Sequence, residues 1–240
     1  MKNVLITGAN KGIGFETAKQ LAQLGYFIFL GCRDIKKGTD AVNSLNEFGL
    51  TNVEALEIDV ADIFSVKEAR AILEAKIESL DVLINNAGIV GEQPQNISAC
   101  SMELLRKVFD TNYFGTIQTT QQFLNLLMKS SEPAIINVSS ESGSIYMQTS
   151  PERNPSWDFY NVYGSSKMAV NSFTIMLANE FRNTKLRVNS VTPGYTATDL
   201  NDFKGTKSVQ EGVKPIVRLV TSNSENVTGE FLKEGGTVPW

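Results

Sequence analysis

Short apolar or β-branched runs recur along the chain, at positions 4–7, 27–31, 53–58, 82–84, 134–138, 187–191 and 230–232. They are near-continuous rather than alternating, which marks strands buried on both faces of a parallel sheet. Longer segments with helical periodicity lie between them. The first places Ile13, Thr17, Leu21 and Leu24 on one stripe and meets a stop at Gly25, and 36–48, 65–80, 101–129 and 163–181 read the same way. Strand and helix in alternation predict an α/β fold, a single doubly wound domain over 1–240 with a mostly parallel sheet of about seven strands. One stretch breaks the rhythm. Residues 141–161 carry Gly143, Pro151, Pro155 and many polar groups, and predict a long surface loop, which in a compact domain is more often functional than accidental.

Composition narrows the chemistry. A chain of 240 residues fits one domain with a large apolar core. Lys and Arg number 22 against 26 Asp and Glu, for a net charge of −4, and no basic block exceeds Lys36-Lys37, so no nucleic-acid footprint is expected. No run approaches the ~20 apolar residues a membrane helix needs, and the apolar start is too short for a signal peptide. A soluble, cytoplasmic protein without a membrane partner is expected. Cys32 and Cys100 form no CxxC pair and read as two free thiols in a reducing compartment. The chain has no histidine, which excludes Ser-His-Asp hydrolysis, Cys-His proteolysis and His-ligated metal chemistry. No metal site is expected, and proton transfer falls to Tyr, Lys, Asp, Glu or Cys. Sequons beginning at Asn96, Asn137 and Asn226 read as chance matches.

Four clusters carry chemistry. Gly8, Gly12 and Gly14 follow the first strand and open a helix, so bare N–H groups can converge on phosphate at the positive end of a helix dipole. Their GxxxGxG spacing matches neither a GxGxxG fingerprint nor a GxxxxGK[ST] loop, and a plain tight turn is the other reading. Asn85-Asn86-Ala87-Gly88 follows the run at 82–84, at a strand end of the kind where open α/β sheets bind ligands; a simple turn is again the alternative. Tyr163 and Lys167 stand one helical turn apart on one face. There an ammonium can favour the phenolate and lower the phenol's pKa, unless the pair is merely a solvated helix face. Ser139-Ser140 end the strand at 134–138 and can donate a hydrogen bond to a carbonyl oxygen. Asn112, inside a long helix, is either solvent-facing or bonded to something specific.

In their order along the chain, TGANKGIG, the Asp59-Val60 step, NNAG, Asn112, the Ser139-Ser140 pair, YxxxK and Pro193-Gly194-x-x-x-Thr198 resemble the short-chain dehydrogenase/reductase family, over essentially the whole chain. The resemblance implies a Rossmann-like domain and a tetrad. In it Asn112 holds a water relay, Ser140 orients the substrate carbonyl, Tyr163 donates or accepts the proton, and Lys167 tunes Tyr163 while binding the nicotinamide ribose. It implies further cofactor contacts from Gly8, Asn10, Lys11, Gly12, Ile13 and Gly14; from Asp59 and Val60 at the adenine; from Asn85, Ala87 and Gly88 on the adenosine side; and from Pro193, Gly194, Thr196 and Thr198 at the nicotinamide end. Family members often carry Val or Ile where Thr196 stands, which a backbone contact would tolerate.

Cofactor choice can be argued from residues. The acid that reads the ribose in NAD-preferring members falls at Cys32, which cannot accept a 2′-hydroxyl as a carboxylate does. Arg33 beside it and Lys11 in the glycine turn suit a 2′-phosphate, so NADPH is expected and NADH is the lesser candidate. Asp34 would weaken or reverse that preference if it pointed inward. Within the family, the "CRD" after the second strand, the extended segment between Ser140 and Tyr163 and the closing Pro239-Trp240 are similar to the carbonyl-reductase type. The insertion at 141–161 is expected beside the active site, with Tyr146, Met147, Trp157 and Phe159 available to line an apolar pocket. The expected function is an NADPH-dependent reductase that transfers hydride to a small-molecule ketone or aldehyde to give an alcohol. The rivals are an NAD-linked alcohol dehydrogenase of the same family and a non-catalytic dinucleotide sensor. Monomer or homo-oligomer stays open.

Overall fold

The computed structural model describes residues 1–222 and 227–240; the sequon beginning at Asn226 lies outside the described residues. The strands are β1 (Asn3–Thr7), β2 (Phe27–Cys32), β3 (Val53–Glu57), β4 (Val82–Asn85), β5 (Ala134–Val138), β6 (Arg187–Val191), β7 (Phe231–Lys233) and β8 (Gly236–Thr237). They form one sheet in the order β3-β2-β1-β4-β5-β6-β7-β8. Every pairing is parallel except the last, where β7 and β8 run antiparallel. The chain winds outward from β1 on one side and then from β4 on the other, so the strand order reverses between β1 and β4. Ligands of such sheets bind in the crevice outside the carboxyl ends of the strands at that reversal.

The crossovers are α1 (Gly12–Gln23), α2 (Ile35–Glu47), α3 (Ile63–Glu74), α4 (Met102–Phe109), α5 (Gly115–Leu127), the short α6 (Ile145–Thr149), α7 (Asn161–Glu180), α8 (Val209–Gly212) and α9 (Lys214–Thr221). Side chains on a strand alternate between its faces, and the core divides accordingly. Val4, Ile6, Ile28, Leu30, Ile84 and Ile136 pack with Leu21 of α1, Leu45 of α2 and Ile216 of α9. Leu5, Phe29, Leu83 and Ile135 pack on the other side with Leu73 of α3, Phe123 of α5 and Leu177 of α7. Both faces are covered, which is why the strands read as predominantly apolar runs rather than as an alternation of apolar and polar residues.

One row of the core is polar. Asn85, Asn137 and Ser190 are register partners across β4, β5 and β6. Asn85 Nδ2 donates to Asn137 Oδ1 at 2.9 Å and to Thr120 Oγ1 at 3.0 Å. Asn137 Nδ2 donates to Thr174 Oγ1 at 2.9 Å, and Thr174 Oγ1 lies 2.8 Å from Ser190 Oγ. All five side chains are buried, so the sequon at Asn137 is closed to modification in this fold.

Three expectations change. The sheet has eight strands, because a turn through Gly235 folds the two-residue β8 back onto β7. The helix expected over 101–129 is α4 and α5 joined by a π-helical turn, Asp110–Phe114. The stretch 141–161 is not a long irregular loop. It holds a 3-10 turn at Glu141–Gly143, then α6, then a second 3-10 turn at Pro155–Tyr160 that runs into α7. Ser144 caps α6 at the N–H of Met147, and Asn154 caps the second 3-10 turn at the N–H of Ser156, so serine and asparagine signals typical of loops act here as helix caps.

Candidate active site

The glycine turn sits at the carboxyl end of β1. Gly8 has φ +64° and Gly12 φ +56°, left-handed conformations that favour glycine. A Cβ on Gly8 would meet the Ala87 backbone at 2.8 Å, and one on Gly14 would meet Asn86 Nδ2 at 2.6 Å. These glycines therefore let the turn press against the NNAG segment, and Asn86 Nδ2 locks it there by donating to Thr7 O at 2.8 Å and Gly8 O at 3.1 Å. Helix α1 begins at Gly12 with no side-chain cap from Lys11, which leaves its first N–H groups to an external acceptor, as a phosphate-binding helix requires. Ile13 packs its side chain against the core, so only its backbone can serve a phosphate. The uncapped helix and the Cβ-free turn fit a dinucleotide pyrophosphate.

Beside this turn lies a shallow pocket of about 350 Å³, lined by Asn10, Lys11, Phe15, Lys37 and Asp40 among others. Lys11 also forms an ion pair with Asp199 across the cleft. Arg33 is exposed just beyond β2. Asp34 does not point inward: it is the N-cap of α2, accepting from Lys37 N at 3.2 Å, with Lys37 Nζ 3.7 Å away. Those contacts with Lys37 hold its carboxyl below the usual carboxylate range. Lys37 is a cation the sequence reading passed over, because nothing in a helical lysine's spacing shows that its turn borders the glycine turn.

Asp59 Oδ1 accepts from Ala61 N at 3.0 Å, at the end of β3, and Val60 is buried behind it. The side chain of Asn85 belongs to the buried polar row described above, so a cofactor contact at this position falls to its backbone. Ala87 packs against the core. Gly88 stands at the centre of the site, where a Cβ would lie 3.3 Å from Asn112 Oδ1 and 3.5 Å from Lys167 Nζ. Past β6, Gly194 turns the chain with φ +75°. Thr196 Oγ1 donates back to Pro193 O at 3.2 Å, so its hydroxyl is committed to its own loop. The methyl of Thr198 would be 3.5 Å from a Cβ on Gly12, which brings this loop against the glycine turn.

Ser140, Tyr163 and Lys167 come together. The Ser140 hydroxyl pulls the pKa of the Tyr163 phenol downward and lies 2.9 Å from Ser142 Oγ. Lys167 Nζ sits 5.7 Å from the centre of the Tyr163 ring and donates to Val138 O at 2.8 Å. Burial pushes the phenol up to about 12, against a smaller downward pull from Ser140. Burial pushes the ammonium down to about 8. The lowering of the phenol by Lys167 expected from their spacing is not found: burial raises the phenol, and the downward pull comes from Ser140. Gly143 fits flush against α7, where a Cβ would meet the Lys167 backbone at 2.8 Å.

Asn112 lies in the π-helical turn and is fully buried. It is bonded to something specific: Oδ1 accepts from Ile89 N at 2.8 Å, and Nδ2 donates to Ile89 O and to Ser166 Oγ, each at 2.9 Å. Of the expected pocket side chains, Tyr146 and Phe159 are exposed, whereas Met147 and Trp157 are half-buried. The segment is tied to the C-terminal residues instead, with Ser144 Oγ donating to Pro239 O at 2.5 Å and Tyr146 N to Trp240 O at 2.9 Å.

Known proteins place this geometry. A family model described as short chain dehydrogenase matches residues 2–208. The chain is 36% identical to the short-chain dehydrogenase anuI of Penicillium roqueforti, over 98% of this chain and 95% of that one. It is 29% identical to salutaridine reductase of Papaver bracteatum, over 96% and 94%. The solved structure of NADPH-bound carbonyl reductase from chicken fatty liver superposes with a TM-score of 0.87 at 28% identity, covering 100% of this chain and 99% of that one. The chain belongs to the short-chain dehydrogenase/reductase family of oxidoreductases.

Proposed function

We propose that the protein is an NADPH-dependent carbonyl reductase that converts a small-molecule ketone or aldehyde to an alcohol. The observation that carries the cofactor choice is the commitment of Asp34 to the cap of α2. The acid that could have read a ribose hydroxyl is thereby engaged elsewhere, while Lys11 and Lys37 line one pocket beside the glycine turn and Arg33 stands exposed past β2. Guanidinium and ammonium groups suit a 2′-phosphate. The NADPH bound to the chicken relative supports the same reading. We also assign residues 1–240 to one domain in a reducing, cytoplasmic setting, which the unpaired Cys32 and Cys100 support.

The first N–H groups of α1 would hold the pyrophosphate, and Lys167 with the Gly88 region the nicotinamide end. When bound, the dinucleotide supplies hydride to the carbonyl carbon. The protein's own residues manage the oxygen. Ser140 donates a hydrogen bond to it, stabilising negative charge as it develops. Tyr163, whose phenol keeps its proton throughout the neutral range because of burial, then gives that proton up. Lys167 stabilises the phenolate left behind by its positive charge. Asn112 holds Ile89 and Ser166, and so shapes the wall along which a proton could be resupplied.

Proton transfer of this kind contributes about 10²–10⁴-fold. Tyr163→Phe should bind NADPH as wild type does and lose turnover by that factor; a variant with wild-type rate removes the assignment. Consumption of NADPH and NADH over a carbonyl panel, in wild type and in Arg33→Ala, tests the cofactor. Preference for NADPH should drop about tenfold or more in the variant with the loss of one charge-assisted contact. An unchanged ratio would discard the cation argument, and preference for NADH in wild type would favour the NAD-linked dehydrogenase.

A further inference from the structure

Tyr163 is the third residue of α7, and the N-cap residue Tyr160 provides no side-chain cap. N–H groups in the first turn of a helix lack partners within it. The one on Tyr163 is met from a distant segment, where Gln95 Oε1 accepts it at 3.0 Å. Gln95 is fully buried. Its Nε2 donates to Val90 O at 2.7 Å and Glu92 O at 3.2 Å. Those two bonds orient the amide, so that its oxygen faces Tyr163. The carbonyl of Tyr163 is held as well. It accepts from Ser166 Oγ at 2.7 Å, and Ser166 Oγ accepts from Asn112 Nδ2. With Asn112 also gripping Ile89, the stretch 89–95 is fastened to the N–H and the C=O of the tyrosine that carries the phenol.

We propose that Gln95 is a positioning residue for Tyr163, acting through the backbone N–H of α7 rather than by contact with substrate. The proposal rests on the reading of Tyr163 as proton donor. Without the amide, a buried N–H and two carbonyls lose their partner, and each such loss is costly. The first turn of α7 loosens, and the phenol moves relative to Ser140. Lys167 lies a turn further in and stays anchored at Val138 O, so the dinucleotide site is spared. A misplacement of about 1 Å can cost about 10²-fold in rate.

The test compares Gln95→Met, nearly isosteric but without the amide, with Gln95→Glu and Tyr163→Phe. Para-nitrobenzaldehyde serves as carbonyl probe, and NADPH affinity is read by fluorescence titration. Gln95→Met should lower kcat about 10–100-fold, leave NADPH affinity within about twofold, and shift the pH at which the rate falls. Gln95→Glu keeps an oxygen for the Tyr163 N–H but sets a carboxylate against two carbonyls. It should recover part of the lost rate at low pH, where a protonated carboxyl can donate to one of them. Wild-type kcat and pH profile in Gln95→Met, beside an inactive Tyr163→Phe, would overturn this proposal alone. Proportional loss of kcat and NADPH affinity would also overturn it, because general support of the fold gives that pattern. A fully active Tyr163→Phe would remove the proton-donor reading and this inference with it.

Discussion

Lys167 is an ammonium buried against a carbonyl oxygen, and its cost is measurable. Burial takes its pKa from 10.5 to about 8, a difference worth about 3 kcal/mol at 1.36 kcal/mol per unit. Between those two pH values the unfolded chain holds a proton that the native chain has released, so stability should rise with pH across that window. Lys167→Met lacks this term. Thermal melts of both proteins from about pH 8 to about 10.5 should show wild type gaining on the variant by up to about 3 kcal/mol; a constant difference would refute the burial account. Activity should run the other way. As pH rises through about 8, Lys167 loses the charge that steadies the phenolate, and the reductive rate falls. A rate unchanged through that pH would separate Lys167 from the proton step. YxxxK spacing made the pair legible in the sequence, but not the direction of the phenol's shift, which depends on how much protein covers the ring. Gln95 was invisible for a related reason: a lone glutamine in a loop carries no periodicity, and its importance lies in a partner at the start of α7.

Elements rather than single residues decide how the site is assembled. The 3-10 turn at Glu141–Gly143 lies directly on α7, and Asn171 Nδ2 donates to Gly143 O at 2.9 Å. Gly143→Ala would push a methyl into the Lys167 backbone, which cannot yield as a flexible side chain can. Overpacking of this kind costs about 1–3 kcal/mol, or about 2–4 °C of melting temperature per kcal/mol in a chain this size. The variant should melt lower and lose turnover as Lys167 shifts; wild-type values for both would show the contact to be slack. Helical apolar periodicity ran through 101–129 without a break, so the π turn that buries Asn112 could not be read from it. The short helices at 141–161 were equally hidden, since their caps are the same serine and asparagine types that mark turns. Strand runs were more direct. The runs at 134–138 and 187–191 coincide with β5 and β6, because β-branched or apolar residues recur through each run and the polar ones in its interior, Asn137, Asn189 and Ser190, are themselves buried. The two-residue β8 has no such run.

At the scale of the molecule, the C-terminal residues meet the segment beside the active site. Trp240 stacks on Phe231 of β7 with ring centres 5.6 Å apart, and Pro239 and Trp240 accept hydrogen bonds from Ser144 and Tyr146. Trp240→Ala should lower stability by about 1–2 kcal/mol, of which the ring pair itself supplies about 0.5–1.5 kcal/mol. It should raise the KM for the carbonyl more than that for NADPH, since the glycine turn lies elsewhere. Equal effects on both would deny the coupling. The polar row through β4, β5 and β6 has a bearing on how the sheet finds its alignment. Hydrophobic strands covered on both faces can slide by one residue with little change in greasiness, because apolar groups face both ways. Asn85, Asn137 and Ser190 cannot. A slip would turn amides and a hydroxyl away from Thr120 and Thr174, at about 1–3 kcal/mol for each orphaned group. The row thus works as a key in a lock of otherwise interchangeable ridges, rejecting misaligned sheets that oil and water alone would accept.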